Sequence, residues 1–376
     1  MNLEHLEIPS SPAFLLDETK IKASAQILQS LSYQSGCRFL YSIKSLPLVA
    51  VLEWLKPYVD GFSVSSLFEA RLASEVLAGS GSIHLTTPGL MPSELDAINQ
   101  SCQFISCNSI QQFNNLNALA APGCSLGVRV NPGLSSVNDT RYDPCRMNSK
   151  LGVSIEQLLN WPLSSQVEGL HLHSHFAGRN FTPLIEAVAR LEKQLFSRFD
   201  GIKWINLGGG YLFDEIDDFT DFIALVNDLK NHYHLKVFIE PGKAIVGQAG
   251  YLYSSVIDLF DSGSKRVAVL DTSINHNPEV FEYQMSPELY AVDQNGPYAY
   301  ELVGSTCLAG DLFGYYPFAK PLKIGDPIIF KNVGAYSLVK ASRFNGYNLP
   351  DIYGFNGNKA TLIKSYSYED YRGQWF

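Results

Sequence analysis

The chain is expected to fold as an α/β protein: a (β/α)8 barrel of the TIM type joined to a second, all-β domain with Greek-key-like connections. Three observations carry that expectation. Apolar or β-branched runs recur eight times over about 210 residues, most of them separated by segments with apolar residues at three- and four-residue spacing. After Gly250 short alternating runs bounded by Gly, Pro and Asn take over, and long helical patterns disappear. No dinucleotide-type glycine pattern follows the first run, which argues against the competing doubly wound sheet.

Taken in order, Ala13-Phe14-Leu15-Leu16 reads as a short strand, and Asp17 as the cap of a helix running to about residue 32. Barrel strands are expected at 37–43, 61–64, 83–86, 103–108, 126–131, 167–173, 204–208 and 236–240. Helices are expected at 47–58, 67–78, 93–99, 110–119, 155–160, 183–196 and 219–233. The stretch 133–151 is a long polar loop, a length that suggests a functional or ordering role. Strands of the second domain are expected at 251–260, 265–272, 299–303, 327–331, 337–343 and 360–366. These limits give a barrel over 14–250 and a β domain over 1–13 and 251–376, with the N-terminal strand able to join the latter.

Composition narrows the function. Apolar residues make up 46% of the 376 and charged residues 17%, enough for a large core. A net charge of −9 disfavours nucleic acid as a partner and suits a small cationic substrate. The six cysteines form no Cys-x-x-Cys pair and read as reduced thiols of a cytoplasmic protein. Residues 1–7 lack the order of a secretory leader, and no apolar run is long enough to cross a membrane.

Barrel enzymes build their site at the carboxyl ends of the strands. Those ends carry Lys44, Ser63 with Ser66, Arg129, His171 with His173, Gly208-Gly209-Gly210, and Glu240-Pro241-Gly242-Lys243. A lysine at the end of an apolar strand can lose its proton by desolvation and attack a carbonyl. Glycines admit close approach of backbone N–H groups to a ligand, and the loops after the last two strands are the usual phosphate site of this fold. A buried Glu240 needs a partner, which a protonated pyridine nitrogen supplies. The ring of His173 can lie on a planar cofactor. Together these describe a pyridoxal 5'-phosphate site: Lys44 bonds the aldehyde, the triplet with Gly242 and Lys243 holds the phosphate, Arg129 adjoins it, and Glu240 keeps the ring nitrogen protonated. His171 and His173 share a strand face, with His175 nearby, so zinc is the alternative; a third ligand is wanting, and no metal is expected.

The Lys44 strand, Asn131-Pro132-Gly133, Ser149-Lys150-Leu151-Gly152, His173, the glycine triplet and Glu240-Pro241-Gly242 resemble the fold-type III pyridoxal phosphate decarboxylases, from Pro12 to about Tyr353. Within that superfamily the chain is similar to the carboxynorspermidine (carboxyspermidine) decarboxylase family. The stretches that carry this are Leu270-Asp271-Thr272-Ser273 with His276, Ser305-Thr306-Cys307-Leu308-Ala309-Gly310-Asp311, and Tyr336 with Val339-Lys340 and Phe344-Asn345-Gly346. The resemblance implies that Cys307 protonates the intermediate, that Asp311, His276 and Asp271 bind substrate, and that Tyr336 binds phosphate. It also implies a homodimer in which the β domain of one subunit completes the barrel mouth of the other. The chain departs from the family at Ala177, where a glutamate is usual, at Lys243, usually glutamate, and at Ala335, usually histidine. The substrate expected is a carboxylated polyamine. The alternatives are a diaminopimelate- or ornithine-like amino acid, or a non-catalytic pyridoxal phosphate protein.

Overall fold

The structure, a computed structural model, describes residues 3, 6–119, 123–135, 137, 139–162, 166–199, 201–291, 293, 295–357 and 359–376. Met1, Asn2, Glu4 and His5 of the stretch read for a leader, and Ser136 and Asn138 of the long polar loop, lie outside the described residues. The chain divides into two compact units, one made of Met1–Ile21 and Val246–Phe376, the other of Lys22–Ile245.

The chain opens with β1 (Ala13–Asp17) and α1 (Glu18–Ser35), and the Asp17 carboxylate accepts from the Lys20 N–H at 3.0 Å, the expected cap. The second unit is the barrel. Its strands are β2 (Arg38–Ser42), β3 (Gly61–Val64), β4 (Ser82–Thr87), β5 (Phe104–Cys107) and β6 (Ser125–Asn131), then, past the two-residue β7 (Val153–Ser154), β8 (Gly169–His171), β9 (Trp204–Asn206) and β10 (Lys236–Ile239). All pair in parallel, β5 with β6 and β10 with β2 close the ring at eight strands, and β7 hangs outside on β6. The intervening helices are α2 (Val49–Leu55), α3 (Leu67–Leu77), α4 (Leu95–Ser101), α5 (Ile110–Leu119), α6 (Ile155–Leu159), α7 (Thr182–Gln194) and α8 (Thr220–Asn231). Ser66 caps α3 and Ser154 caps α6, each accepting from the N–H three residues on.

Side chains alternate across a strand, so positions two apart share a face. Inside the ring this produces two layers. The first holds Leu40, Gly61, His84, Phe104, Gly127, Gly169, Trp204 and Phe238; the second, two residues further along each strand, holds Ser42, Ser63, Thr86, Ser106, Arg129, His171, Asn206 and Glu240. Leu40, Trp204 and Phe238 pack as one buried cluster with Phe104 against it. Trp204 lies over Gly127 and Gly169, where an added Cβ would fall 2.5 and 1.9 Å from the indole. The polar layer sits above this plug, toward the carboxyl ends of the strands.

The other unit is a sheet in the order β14-β13-β12-β11-β1-β16-β17, with β15 pairing β11. Its strands are β11 (Gly250–Ser262), β12 (Lys265–Leu270), β13 (Tyr298–Val303), β14 (Leu312–Phe318), β15 (Pro327–Lys331), β16 (Asp351–Asn356) and β17 (Lys359–Lys364). Three expectations need correction. A barrel starting at residue 14 would take in β1, but β1 pairs β11 and β16 and belongs to the sheet unit. The alternation at 337–343 is not a strand: the chain turns at Tyr336, in the left-handed region at φ 64°, into a short helix over Ser337–Lys340. Strands β14 and β16 were not anticipated. Gly314 and Pro317 interrupt the pattern of β14, and a proline is tolerated there because β14 is the edge strand.

Candidate active site

Lys44 leaves the barrel on a single 3-10 turn after β2. Two features fix that turn. The Ser42 N–H donates to the Pro241 carbonyl at 2.9 Å, and the Ser45 hydroxyl donates to the Ser42 carbonyl at 2.7 Å. Gly242 packs against the same turn; a Cβ there would lie 3.0 Å from Ser45 Oγ and 3.2 Å from Ser42 Cβ. The Pro241-Gly242 step after the last strand thus clamps the lysine of the first.

Lys44, Arg129, His173 and Glu240 line one cavity of about 300 Å3. Its outer wall is the long polar loop, including Arg141, Tyr142, Asp143, Arg146 and Lys150. Lys44 is exposed to the cavity yet walled by protein. Desolvation lowers its pKa and Arg129 pushes the same way, while Glu240 and Glu69 oppose. Solvent in the cavity tempers that shift. Glu240 is 5% exposed, and burial raises its pKa against the pull of Lys44, Asn206, Ser63 and Arg129. Asn206 Nδ2 donates to Glu240 Oε1 at 2.7 Å. His173 accepts the Gly209 N–H on Nδ1 at 3.1 Å, which puts its proton on Nε2; burial, Arg129 and Lys44 hold the ring neutral.

The fold gives the glycine triplet a steric reason to be glycine. A Cβ on Gly208, Gly209 or Gly210 would strike the carbonyl oxygens of Leu172, Glu240 and His175 at 2.1, 2.5 and 2.2 Å. The Gly208 N–H donates to Asn206 Oδ1 at 2.9 Å, the Gly209 N–H to His173, and the Gly208 carbonyl accepts the Glu240 N–H at 2.6 Å. The triplet is glycine so that it can thread between the His173 and Glu240 strands and align both side chains. Lys243 opens the turn after Gly242, where its charge acts on Asp214. Ser63 reaches Glu240, whereas Ser66 serves as a helix cap.

Among the described residues no group of three or more His, Cys, Asp or Glu is placed to hold a metal ion. His171 is buried inside the ring, while His175 stacks on Tyr211 at 5.6 Å.

In the sheet unit, Cys307 is exposed, and its N–H donates to Asn345 Oδ1 at 2.7 Å. Asp311, expected to bind substrate, is 3% exposed with both oxygens engaged. Oδ1 accepts the Ile274 N–H at 2.9 Å, and Oδ2 accepts the Thr306 N–H at 3.1 Å and its hydroxyl at 2.5 Å. It ties the loop bearing Cys307 to the turn after β12. His276 is likewise buried, with Nδ1 2.9 Å from Thr272 Oγ1 and a pKa lowered by burial to about 4. Asp271 accepts the Ser255 N–H at 2.9 Å, and burial raises its pKa. Tyr336 holds a left-handed backbone conformation, φ 64°, that bulky residues rarely adopt.

Thr86 and Asn206 belong to the site and were not anticipated. Both are inward-facing polar residues, Asn206 the last of β9 and Thr86 the last but one of β4, and the period of two along each strand was the signal for them.

A neutralisable lysine, a buried carboxylate and a neutral imidazole around one cavity fit pyridoxal phosphate, and with the barrel and sheet they define a pyridoxal-dependent enzyme. A family described as pyridoxal-dependent decarboxylase, C-terminal sheet domain, matches residues 27–334. The chain belongs to this family of pyridoxal-dependent decarboxylases, and it is therefore a carboxy-lyase that uses pyridoxal phosphate. A carboxynorspermidine/carboxyspermidine decarboxylase of Campylobacter jejuni is 32% identical, with 96% of this chain and 97% of that one aligned. A carboxyaminopropylagmatine decarboxylase of Synechocystis is 33% identical over 97% and 95%. The crystal structure of carboxynorspermidine decarboxylase from Campylobacter jejuni, complexed with norspermidine, superposes with a TM-score of 0.88 at 30% identity, covering 98% of this chain and all of that one.

Proposed function

We propose that the chain decarboxylates a carboxylated polyamine, carboxynorspermidine or carboxyspermidine, in polyamine biosynthesis. The observation that carries this is the likeness, end to end, to the Campylobacter jejuni decarboxylase complexed with norspermidine. Similar identity to the carboxyaminopropylagmatine decarboxylase favours a second reading, in which the cationic tail derives from agmatine.

When bound, pyridoxal phosphate supplies an electron sink conjugated to the substrate's α-carbon. Lys44, its pKa lowered by desolvation, is the amine that would bond the aldehyde. His173, with its proton on the nitrogen away from Gly209, would lie against the ring. Glu240 would hold a proton at the ring nitrogen. Gly208, Gly209 and Gly210 would hold the phosphate, with Gly242, Lys243 and Arg129 beside them and Tyr336 joining them. Cys307 returns a proton to the α-carbon after carbon dioxide leaves. The roles of Tyr336 and Cys307 rest on family likeness. Carbon dioxide release and product analysis with carboxynorspermidine, carboxyspermidine, carboxyaminopropylagmatine, diaminopimelate and ornithine test the substrate. Turnover of the first two is expected, turnover of the third alone establishes the second reading, and turnover of only the last two overturns both.

The working form in this proposal is a cytoplasmic homodimer in which the sheet unit of one copy completes the barrel mouth of the other. A two-fold contact closes both mouths, and closure protects a carbanion from stray protonation. Lys44→Ala and Cys307→Ala chains are then each impaired, and refolding them together restores activity because one of the two mixed sites carries neither lesion. Exchange of subunits without recovery would place Lys44 and Cys307 in a site built by one chain.

A further inference from the structure

His171 is the least explained polar residue in the barrel. Its side chain is 0% exposed, and Nε2 has no hydrogen-bond partner. A buried polar atom left unsatisfied is costly, so this one calls for an account. Nδ1 stands 2.9 Å from Thr86 Oγ1. The Thr86 hydroxyl has one proton and two acceptors in reach, His171 Nδ1 and the Ser106 carbonyl at 3.4 Å. A proton on Nε2 faces the Glu240 carboxylate, and that opposite charge favours the Nε2–H tautomer, with Nδ1 accepting from the Thr86 hydroxyl. That N–H faces Glu240 Oε2 across 3.8 Å. The gap exceeds a hydrogen bond, and a shift of less than about 1 Å closes it.

We infer that His171 is a positioning residue for Glu240: Thr86 donates to its Nδ1, and its Nε2–H closes on Oε2 to hold the carboxylate toward the cofactor ring. The other groups facing Glu240 are Lys44, Arg129, Asn206 and Ser63. Those acting on His171 are Arg129, His173, Lys44 and His84, all of which keep it neutral, as burial does. A neutral donor suits the task. It stabilises the ionised carboxylate by a hydrogen bond without adding a cation that would compete for it with the protonated ring nitrogen. The inference rests on the pyridoxal reading of the cavity, but its test uses no substrate, so a wrong substrate assignment leaves it standing.

The test is nuclear magnetic resonance on the full-length chain. With 15N-labelled histidine, before and after loading with pyridoxal phosphate, His171 is expected as the Nε2–H tautomer; an Nδ1–H signal in the native protein overturns the inference. With 13C-carboxyl glutamate and no cofactor, the Glu240 signal, assigned by its loss in Glu240→Gln, gives the carboxylate's midpoint. His171→Leu should raise that midpoint by about one unit or more, a tenfold change in ionisation, since it removes a donor from the charged form. His171→Gln, which restores an N–H at similar reach, should bring it back toward the native value. An unchanged midpoint in His171→Leu overturns the inference. Thr86→Val, which removes the hydroxyl donor to Nδ1, should shift His171 toward Nδ1–H; if His171→Leu fails to fold, this variant and the native tautomer decide.

Discussion

Two layers of the barrel interior, one residue pair apart on the same eight strands, have opposite chemistry. The lower is an apolar plug in which two glycines make room for one tryptophan, and its one ionisable ring, His84, stacks on Phe104 with centroids 4.2 Å apart. The upper is polar on all eight strands and carries Arg129, His171 and Glu240. The difference teaches how the strands hold expensive groups. Burying a charge without partners costs far more than burying a methylene. The upper layer is tolerable because its members answer one another: Asn206 and Ser63 on Glu240, Thr86 on His171, the His173 carbonyl 3.5 Å from Arg129. The plug beneath keeps the strand ends at fixed spacing, so that these partners meet. Stability is concentrated in one layer and chemistry in the other.

One substitution in the cavity above the polar layer and one in the plug make the sharpest contrast. Lys44→Ala should reduce turnover by roughly 10^3-fold or more, because it removes the amine proposed to bond the cofactor. It should leave the unfolding midpoint in urea unchanged or slightly raised, since a desolvated amine is removed. Trp204→Ala should do the reverse. Trp204 is 1% exposed, donates from Nε1 to Ser125 Oγ at 2.8 Å, and fills the space over Gly127 and Gly169. Its loss should destabilise the chain by about 3–5 kcal/mol, with native turnover per folded molecule. Carbon dioxide release and urea unfolding on both variants are the measurements. If Trp204→Ala loses turnover as deeply as Lys44→Ala while folded, the layers are not separable.

Much of the cavity lining was legible in the sequence and the plug was not. Lys44, Arg129, His173 and Glu240 stand at or just past strand ends, where an apolar run stops at a polar residue, and such breaks are visible without a structure. Glu240-Pro241-Gly242 was legible as a turn, although its packing against Ser42 and Ser45 was not. The glycine triplet shows the limit. Its composition was legible, but the carbonyls of neighbouring strands that fill its Cβ positions are a tertiary fact with no local signal. Asp311 is similar: nothing local shows that its oxygens accept from Ile274 and Thr306. The missed strand β14 and the false strand at 337–343 have one cause. Alternation over few residues is a weak signal when Gly and Pro fall inside it or a left-handed turn precedes it.

The smallest expected effect comes from the one titratable ring in the plug. His84 is 3% exposed, lies between Phe104 and Phe238, and has Nε2 2.9 Å from Ser82 Oγ. Burial, with some help from Arg38, lowers its pKa to about 3. In the unfolded chain the same ring titrates near 6.5. The folded state therefore keeps the ring neutral while the unfolded state gains a proton as pH falls. Above 6.5 neither form binds the proton and stability is full; it is lost progressively from 6.5 down toward 3. At pH 5 the unfolded form is already protonated and the folded one is not, so the loss relative to pH 7 is about 2 kcal/mol. Buried His171 and His173 act in the same direction, so total acid sensitivity cannot isolate His84. The difference between native protein and His84→Leu can. Leucine fits the apolar neighbours and does not titrate, so urea unfolding of that variant between pH 7 and pH 5 should show a fall smaller by about 2 kcal/mol than the native protein's. An equal fall would mean that His84 takes up a proton without unfolding, and that the lower layer is less dry than its packing implies.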